Sequence, residues 1–379
     1  MTKKKKRLGI KLNMRTYAII IAIIFLWIIF GLTTNGSFLT TRNVSNLFRQ
    51  MSSVGILATG ALLVIVSGGI DLSVGLMAGF IGCLGAYFMT YSHWSTPLVV
   101  LVMIVAGAVF GLVQGYIISY LDVPAFIVTL GFQMLLKGLV LWLTEGITIS
   151  PINEDFLVFG QAYVPHLIGW IIAAIAVILI FLFAMRNRKN SIRYGFDSKP
   201  LTADLLKAAG FSVLVLIFAF VMNDYNGIPF QVLLLFLLVL VLTFVAEKTV
   251  FGRSIYAIGG NEEAVRYAGI NVEKNRMIVY VVSGVTAAIA GIVLTARQAA
   301  GLPSTGQSLE LDAIAAAVIG GASMTGGVGR VYGAIIGALL MATIDNGMAM
   351  LNMETFWQYI VKGVILIAAV LFDIKTKGK

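Results

Sequence analysis

The residues able to do chemistry in this 379-residue chain are few, and their spacing is not that of a catalyst. The two histidines, His93 and His166, fall in polar segments between apolar runs. No H-E-x-x-H helix, G-x-S-x-G elbow or G-x-x-x-x-G-K-S/T phosphate loop is present. The single cysteine, Cys83, excludes an internal disulfide and a cysteine metal cluster. The chain therefore offers no catalytic residue and no metal set. If ATP drives its activity, ATP and Mg are bound by another chain, and no cofactor is expected in this one.

Ionisable residues inside apolar segments are expensive and point to function by default. Here they are Asp71 with Ser73, Lys137, Arg297, Asp312, Asp345 and Lys362. Asp71 is placed to cap a helix beginning at Leu72, and Asp312 to cap another. Asp345 is the one acid that reads as deep, and Lys137 and Lys362 either snorkel or pair with an acid. Asp71, Ser73, Asp312 and Asp345 are the candidate pathway or gate residues.

A third set lies between two apolar segments. Residues 259 to 270 predict a short helix of roughly 8 residues, about 12 Å long. Asn261 would cap it, Glu262 and Glu263 would face the positive end of its dipole, and Gly269 would stop it. Such a segment fits either a docking point for a cytosolic motor or an ordinary polar turn.

The elements that must position these residues follow from composition. With 59% hydrophobic and 12% charged residues and a mean hydropathy of +0.96, the chain lies far from the roughly 25% charged composition of soluble domains. It reads as an all-α polytopic membrane protein, because helices of about 20 apolar residues satisfy their own backbone in hydrocarbon. The net charge of +10 is not a nucleic-acid footprint, because 21 of the 27 Lys and Arg fall in four clusters, at 3–15, 186–207, 248–276 and 375–379. These clusters should face the cytoplasm. The loops at 144–165, 223–228 and 350–355 hold Glu145, Glu154, Asp155, Asp224 and Glu354 without Lys or Arg and should face outward. Residues 33–50, with Arg42 and Arg49, read as an amphipathic outer helix capped near Thr41 or Asn43.

Apolar runs and loop charges give twelve candidate spans, near 16–32, 51–67, 72–91, 97–120, 124–143, 167–185, 207–222, 229–246, 277–299, 311–323, 328–349 and 355–372. The second and tenth are short enough to be broken or re-entrant, which holds the count at 10–12. The organisation expected is a cytoplasmic basic tail at 1–15, one transmembrane domain over 16–374 and a cytoplasmic tail at 375–379. Inside that domain lie a basic cytoplasmic linker at 186–207 and a cytoplasmic loop at 247–276. The run 16–32 follows a basic stretch as in a signal peptide, but no small-residue cleavage site follows it, so it is kept as a span. Ala58 to Gly75 and Ala315 to Gly333 each pass from a Gly- and Ala-rich helix through a polar Gly-rich break into another such helix. This pattern predicts a parallel internal repeat. The ladders Gly75, Gly79, Gly82, Gly85 and Gly329, Gly333, Gly337 predict close helix packing.

From about Asn43 to Asp373 the sequence resembles the membrane permeases of bacterial ATP-binding-cassette importers for simple sugars, of the ribose, arabinose, galactose and xylose type. The most specific segments are GGIDLSVG (68–75), VPAFIVTL (123–130), RSIYAIGGNEEAVRYAGI (253–270) and ELDAIAAAVIGGASMTGGVG (310–329). An apparent insertion from Ile168 to Tyr225, an extra helix pair joined by the basic linker, resembles the D-xylose branch. The segments Asn223-Asp224-Tyr225 and Thr355-Phe356-Trp357-Gln358-Tyr359 point the same way. Glu263-Ala264 and Gly269 match the family's E-A-A-x-x-x-G coupling pattern, with Val265 where alanine is more usual.

The resemblance implies a permease subunit in the bacterial cytoplasmic (inner) membrane, with both termini cytoplasmic, that translocates a simple sugar such as D-xylose. Its implied partners are a second copy of itself, a cytoplasmic ATPase, an extracytoplasmic sugar-binding protein and membrane lipid. The coupling contacts with the ATPase would involve Gly260, Asn261, Glu262, Glu263, Ala264, Arg266 and Gly269. Three alternatives stay open: a branched-chain amino-acid permease of the same superfamily, an ion-coupled secondary carrier using Asp345, and a scaffolding membrane protein.

Overall fold

The computed structural model describes residues 14–195 and 200–377. Residues 1–13 of the basic tail, 196–199 of the basic linker and 378–379 lie outside the described residues. The chain is a helical bundle of α1 (Met14–Thr33), α2 (Thr41–Val66), α3 (Val74–Thr90), α4 (Thr96–Tyr120), α5 (Ala125–Thr144), the short α6 (Val158–Gln161), α7 (His166–Arg193) and α8 (Leu201–Asn223). It continues with α9 (Phe230–Lys248), α10 (Val250–Gly260), α11 (Glu262–Tyr267), α12 (Val272–Gln298), α13 (Leu309–Ile319), α14 (Val331–Met350) and α15 (Thr355–Lys377). The only sheet among the described residues pairs β1 (Tyr163–Val164) with β2 (Ile228–Pro229), antiparallel.

Among the described residues eight helices are long and apolar enough to cross a membrane, and three shorter apolar helices lie at Tyr17–Thr33, Val74–Thr90 and Thr355–Leu371. The tenth expected span is different in kind. α13 has 11 residues, about 16 Å of helix, half of the roughly 30 Å hydrocarbon core. The chain reaches it as a non-helical segment running down α3 from its C-terminal end. Gly301 lies against Ala86, the Leu302 carbonyl faces Cys83, and Gly306 faces Gly75. Irregular backbone at membrane depth is tolerated here because it is buried in protein. Glycine makes the approach possible: a Cβ at Gly79 would stand 2.0 Å from the Thr305 carbonyl oxygen.

The second span is not short. Thr40 caps α2 by accepting from the Asn43 N–H, and the helix runs 26 residues without interruption. The outer helix expected over 33–50 is therefore its first turns. The reason is that Arg49 is not solvated at a membrane surface but donates to the Gly160 carbonyl at 2.9 Å and the Tyr163 hydroxyl at 3.3 Å. Asn43 Nδ2 donates to Asn346 Oδ1 of α14 at 2.8 Å.

α2 and α12 form the centre of the bundle and are buried through most of their lengths. α4 crosses α12 closely through a glycine stripe the sequence reading did not single out: a Cβ at Gly107 would lie 2.4 Å from the Gly284 carbonyl oxygen. The two predicted ladders also serve packing, with Gly82 against Thr295, Gly85 against Met103, and Gly333 and Gly337 against the backbones of Gly320 and Ala316. The two Gly-rich breaks, 67–73 and 320–330, lie at the same end of the bundle, where the Gly327 N–H donates to the Val66 carbonyl at 2.8 Å. The two segments of the expected repeat are nevertheless unequal, since α2 has 26 residues and α13 has 11.

Candidate functional site

At the first break the chain leaves α2 at Val66, turns at Ser67 and Gly68, and starts α3 at Val74, two residues later than expected. Asp71 holds this turn. Its Oδ1 accepts from the Ser73 N–H at 2.9 Å and the Ser73 hydroxyl at 2.6 Å, and its Oδ2 accepts from Ser283 of α12 at 2.9 Å. Gln114 Nε2 of α4 donates to the Ser73 hydroxyl at 2.8 Å. All four residues are buried, and no Lys, Arg or His pairs with Asp71 among the described residues. Asp71 thus stands at the N-terminus of α3 as expected, but it also joins three helices around the break. It is buried to 2% exposure, so Asp345 is not the one deep acid.

A glutamate the sequence reading passed over lies against the start of α3. Glu310, on the second turn-forming position of α13, is 4% exposed, and its Oε1 accepts from Gln133 Nε2 of α5 at 2.7 Å. A Cβ at Gly75 would stand 2.3 Å from Glu310 Oε2, so the starts of α3 and α13 meet backbone to carboxylate. An acid two positions before Asp312 at the start of an apolar run was the available signal.

Asp312 does not cap α13. It lies on the fourth residue of the helix, after Ser308 at the cap, and its Oδ2 is 2.8 Å from Lys362 Nζ. Lys362 also reaches Asp345 Oδ2 at 2.9 Å. One ammonium of α15 therefore bridges carboxylates of α13 and α14, and the side-chain exposures of 23%, 6% and 27% for Lys362, Asp312 and Asp345 place the trio against the inside of the bundle. The four candidate pathway residues thus fall into two clusters with no partner in common. Arg297 occupies the last turn of α12 beside α6, and Lys137 has no carboxylate partner among the described residues.

The 259–270 segment carries the expected helix, six residues long. Asn261 Oδ1 accepts from the Ala264 N–H at 3.0 Å. Gly269 adopts φ 78°, and the Ile270 N–H donates to the Val265 carbonyl at 3.3 Å, which closes the helix. Val265 is its anchor, buried with Ile258 and Val272, which gives the departure from alanine a packing role. Glu262 lies between Arg266, at 3.0 Å, and Arg276, while Arg266 also pairs with Glu273. Partial burial pushes the Glu262 carboxyl up, but hydrogen bonds from Arg276 and Arg266 outweigh it and hold the group below its ordinary value. The hydrogen bonds that Arg266 donates to Glu262 and then to Glu273 raise its own value. Gly260, Asn261, Glu263, Ala264, Arg266, Tyr267 and Gly269 are exposed.

The sequence reading missed α10, which ties this segment to both breaks. Gly259 is seated between the Val66 carbonyl and the Gly327 N–H, where a Cβ would be 1.8 Å and 2.6 Å away. The Tyr256 hydroxyl donates to the Gly329 carbonyl at 2.8 Å. α10 is therefore in direct contact with the last residue of α2 and with the second break.

The family described as branched-chain amino acid transport system / permease component matches residues 43–370. The xylose transport system permease protein XylH of Haemophilus influenzae is 46% identical over 97% of this chain and 98% of its own length. XylH of Escherichia coli K12 is 45% identical over 98% of this chain and 95% of its own. The ribose import permease protein RbsC of Escherichia coli K12 is 34% identical over 90% of this chain and 89% of its own length. No solved structure matches the chain. A multi-pass bundle matched almost end to end by these permeases belongs to their family: the chain is the membrane permease component of a transport system, not an enzyme.

Proposed function

We propose that this chain is the permease of an ATP-binding-cassette importer that carries D-xylose across the bacterial cytoplasmic membrane. The observation that carries the substrate is the 45–46% identity, nearly end to end, with permeases named for xylose transport, against 34% with a ribose permease. The α7–α8 pair of the apparent insertion supports the same branch.

In this reading two copies form the pathway between them, and an extracytoplasmic binding protein delivers the sugar. A cytoplasmic ATPase, which holds ATP and Mg, grips the exposed face of α11 around Glu263, Ala264 and Gly269. Both termini and the 247–276 loop lie on the ATPase side. Closure of the ATPase moves α10 and α11, and through Gly259 and Tyr256 it moves the breaks at 67–73 and 320–330. A neutral pentose needs hydrogen-bonding groups rather than a strong charged site, in keeping with buried acids that are already held by Ser, Gln and Lys.

The test is to purify the chain with a candidate ATPase from the same cell and measure ATP turnover with and without a xylose-loaded binding protein. Stimulation by the xylose-loaded protein is expected. Stimulation only by another sugar's binding protein would remove xylose as substrate, and a well-folded permease that binds no ATPase would remove the coupling reading.

A further inference from the structure

A groove of about 1180 Å³ runs between α7, α8 and α9. It exceeds the roughly 300–1,000 Å³ of ordinary small-molecule sites, and most of its wall is Ile, Leu, Val, Ala and Phe side chains. From Ile172 to Arg188 it follows α7 for about 24 Å, most of the depth of a hydrocarbon core. Its two ends differ. One closes on Ala219 and Ile228; the other carries Asn187, Arg188 and Ser191 of α7 facing Asp204 and Lys207 of α8.

Long, apolar and polar at one end only, the groove has the shape and polarity of an amphiphile with hydrocarbon tails. Charge chooses the head group. Over 186–207 the sequence sets six basic residues against the two acids Asp197 and Asp204; of these, Arg188 and Lys207 line the polar end with Asp204, and Arg188 engages Asp204 at 3.0 Å. Lys207 is exposed at the mouth. A second copy of this basic mouth would meet it with like charge, which disfavours a self-interface there. Contacts between the α7–α8 hairpin and the body include Phe218 against Phe48 and Phe236, and the β1–β2 pair. An occupant of the groove would add substantially to these contacts.

We propose that an anionic phospholipid, from the leaflet on the basic side of the membrane, occupies this groove. Its acyl chains lie along α7, α8 and α9, and its phosphate rests at Lys207 with Arg188, Asn187 and Ser191 beside it. The lipid joins the hairpin to the body of the permease.

The test is reconstitution of the full chain in vesicles of equal parts phosphatidylglycerol and phosphatidylcholine, extraction, and native mass spectrometry of retained lipid. Wild type is expected to retain phosphatidylglycerol preferentially, and Lys207→Gln to lower that preference about fivefold, the effect of about one basic group at a membrane surface. Ala176→Trp, which fills the groove, should lower retention of both lipids. Circular dichroism and gel filtration identify any variant that fails to fold, in which case the remaining variant carries the test. Equal retention of the two lipids by wild type, or an unchanged preference in Lys207→Gln, would overturn the proposal. So would efficient cross-linking between copies bearing Ile180→Cys, because the groove would then seat a second chain.

Discussion

Gly327 donates its backbone N–H to the carbonyl of Val66 at 2.8 Å, so the second Gly-rich break is bonded to the last residue of α2. Gly259 of α10 fills the space beside this bond, and any Cβ there would collide with both partners.

Gly259→Val should force α10 away from the breaks while leaving the exposed face of α11 intact. Strain from overpacking is typically about 1–3 kcal/mol. The expected result is an ATPase that still binds but whose binding-protein-stimulated turnover falls about tenfold, the equivalent of ~1.4 kcal/mol within that range. Turnover equal to wild type would show that this junction does not transmit motion.

Glu263 is exposed and its neighbour Glu262 is held by two arginines. Glu263→Lys should leave thermal stability within about 0.5 kcal/mol of wild type and yet abolish co-purification with the ATPase. Normal transport by Glu263→Lys without the ATPase would argue for a secondary carrier or a scaffold, and retained co-purification would show that the ATPase does not dock through Glu263.

Glu262 is held below its ordinary value of 4.5, so folded α11 binds that proton less readily than the unfolded chain does. Its contribution to holding α11 is fully present at neutral pH and is lost as pH falls through the depressed folded value. A spin label on Tyr267→Cys, in a Cys83→Ser background, should keep constant mobility between neutrality and the ordinary carboxylate range and loosen only at more acid pH. Glu262→Gln should be loose throughout. Loosening of the wild type near neutrality would contradict the ion-pair account.

Lys362 bridges Asp312 and Asp345. Lys362→Met would leave two carboxylates without their cation and should destabilise the permease by about 3 kcal/mol, read as a fall in melting temperature. Adding Asp312→Asn should recover part of the loss in a double-mutant cycle. Asp345→Asn should retain ATP-driven transport, whereas loss of transport with normal stability and ATPase binding would favour an ion-coupled mechanism.

Asp71→Ala should cost about 1–3 kcal/mol, because the buried hydroxyls of Ser73 and Ser283 lose their acceptor. Asp71→Asn keeps an acceptor oxygen and should cost less. Equal melting temperatures for wild type and Asp71→Ala would show that the break does not depend on this residue.

Much of the architecture was legible from residue type alone, because lipid allows so few solutions. Helix is the only way for the long apolar runs to satisfy their backbone, and the breaks at 67–73 and 320–330 announce themselves by glycine. The short helix at 262–267 was legible for a local reason: the Asn261 cap, the acids of the first turn and the positive φ at Gly269 are all set by near neighbours. The continuous α2 was misread at 33–50 because Arg49 looks like a surface residue until Gly160 and Tyr163 fold over it.

The sequence by itself determined the membrane class, the positions of the breaks and the short helix at 262–267 with its caps, since each depends on composition or on residues a few positions apart. Only the tertiary structure decided that Lys362 pairs with both Asp312 and Asp345, that Glu310 meets Gly75 and Gln133, that the run from Gly301 to Gly306 enters beside α3, and that Gly259 sits between the two breaks. The physical reason is shared. A polar group inside a bundle must find a partner, but several residues of the right chemistry are available, and only the crossing of the helices brings one of them within hydrogen-bonding reach.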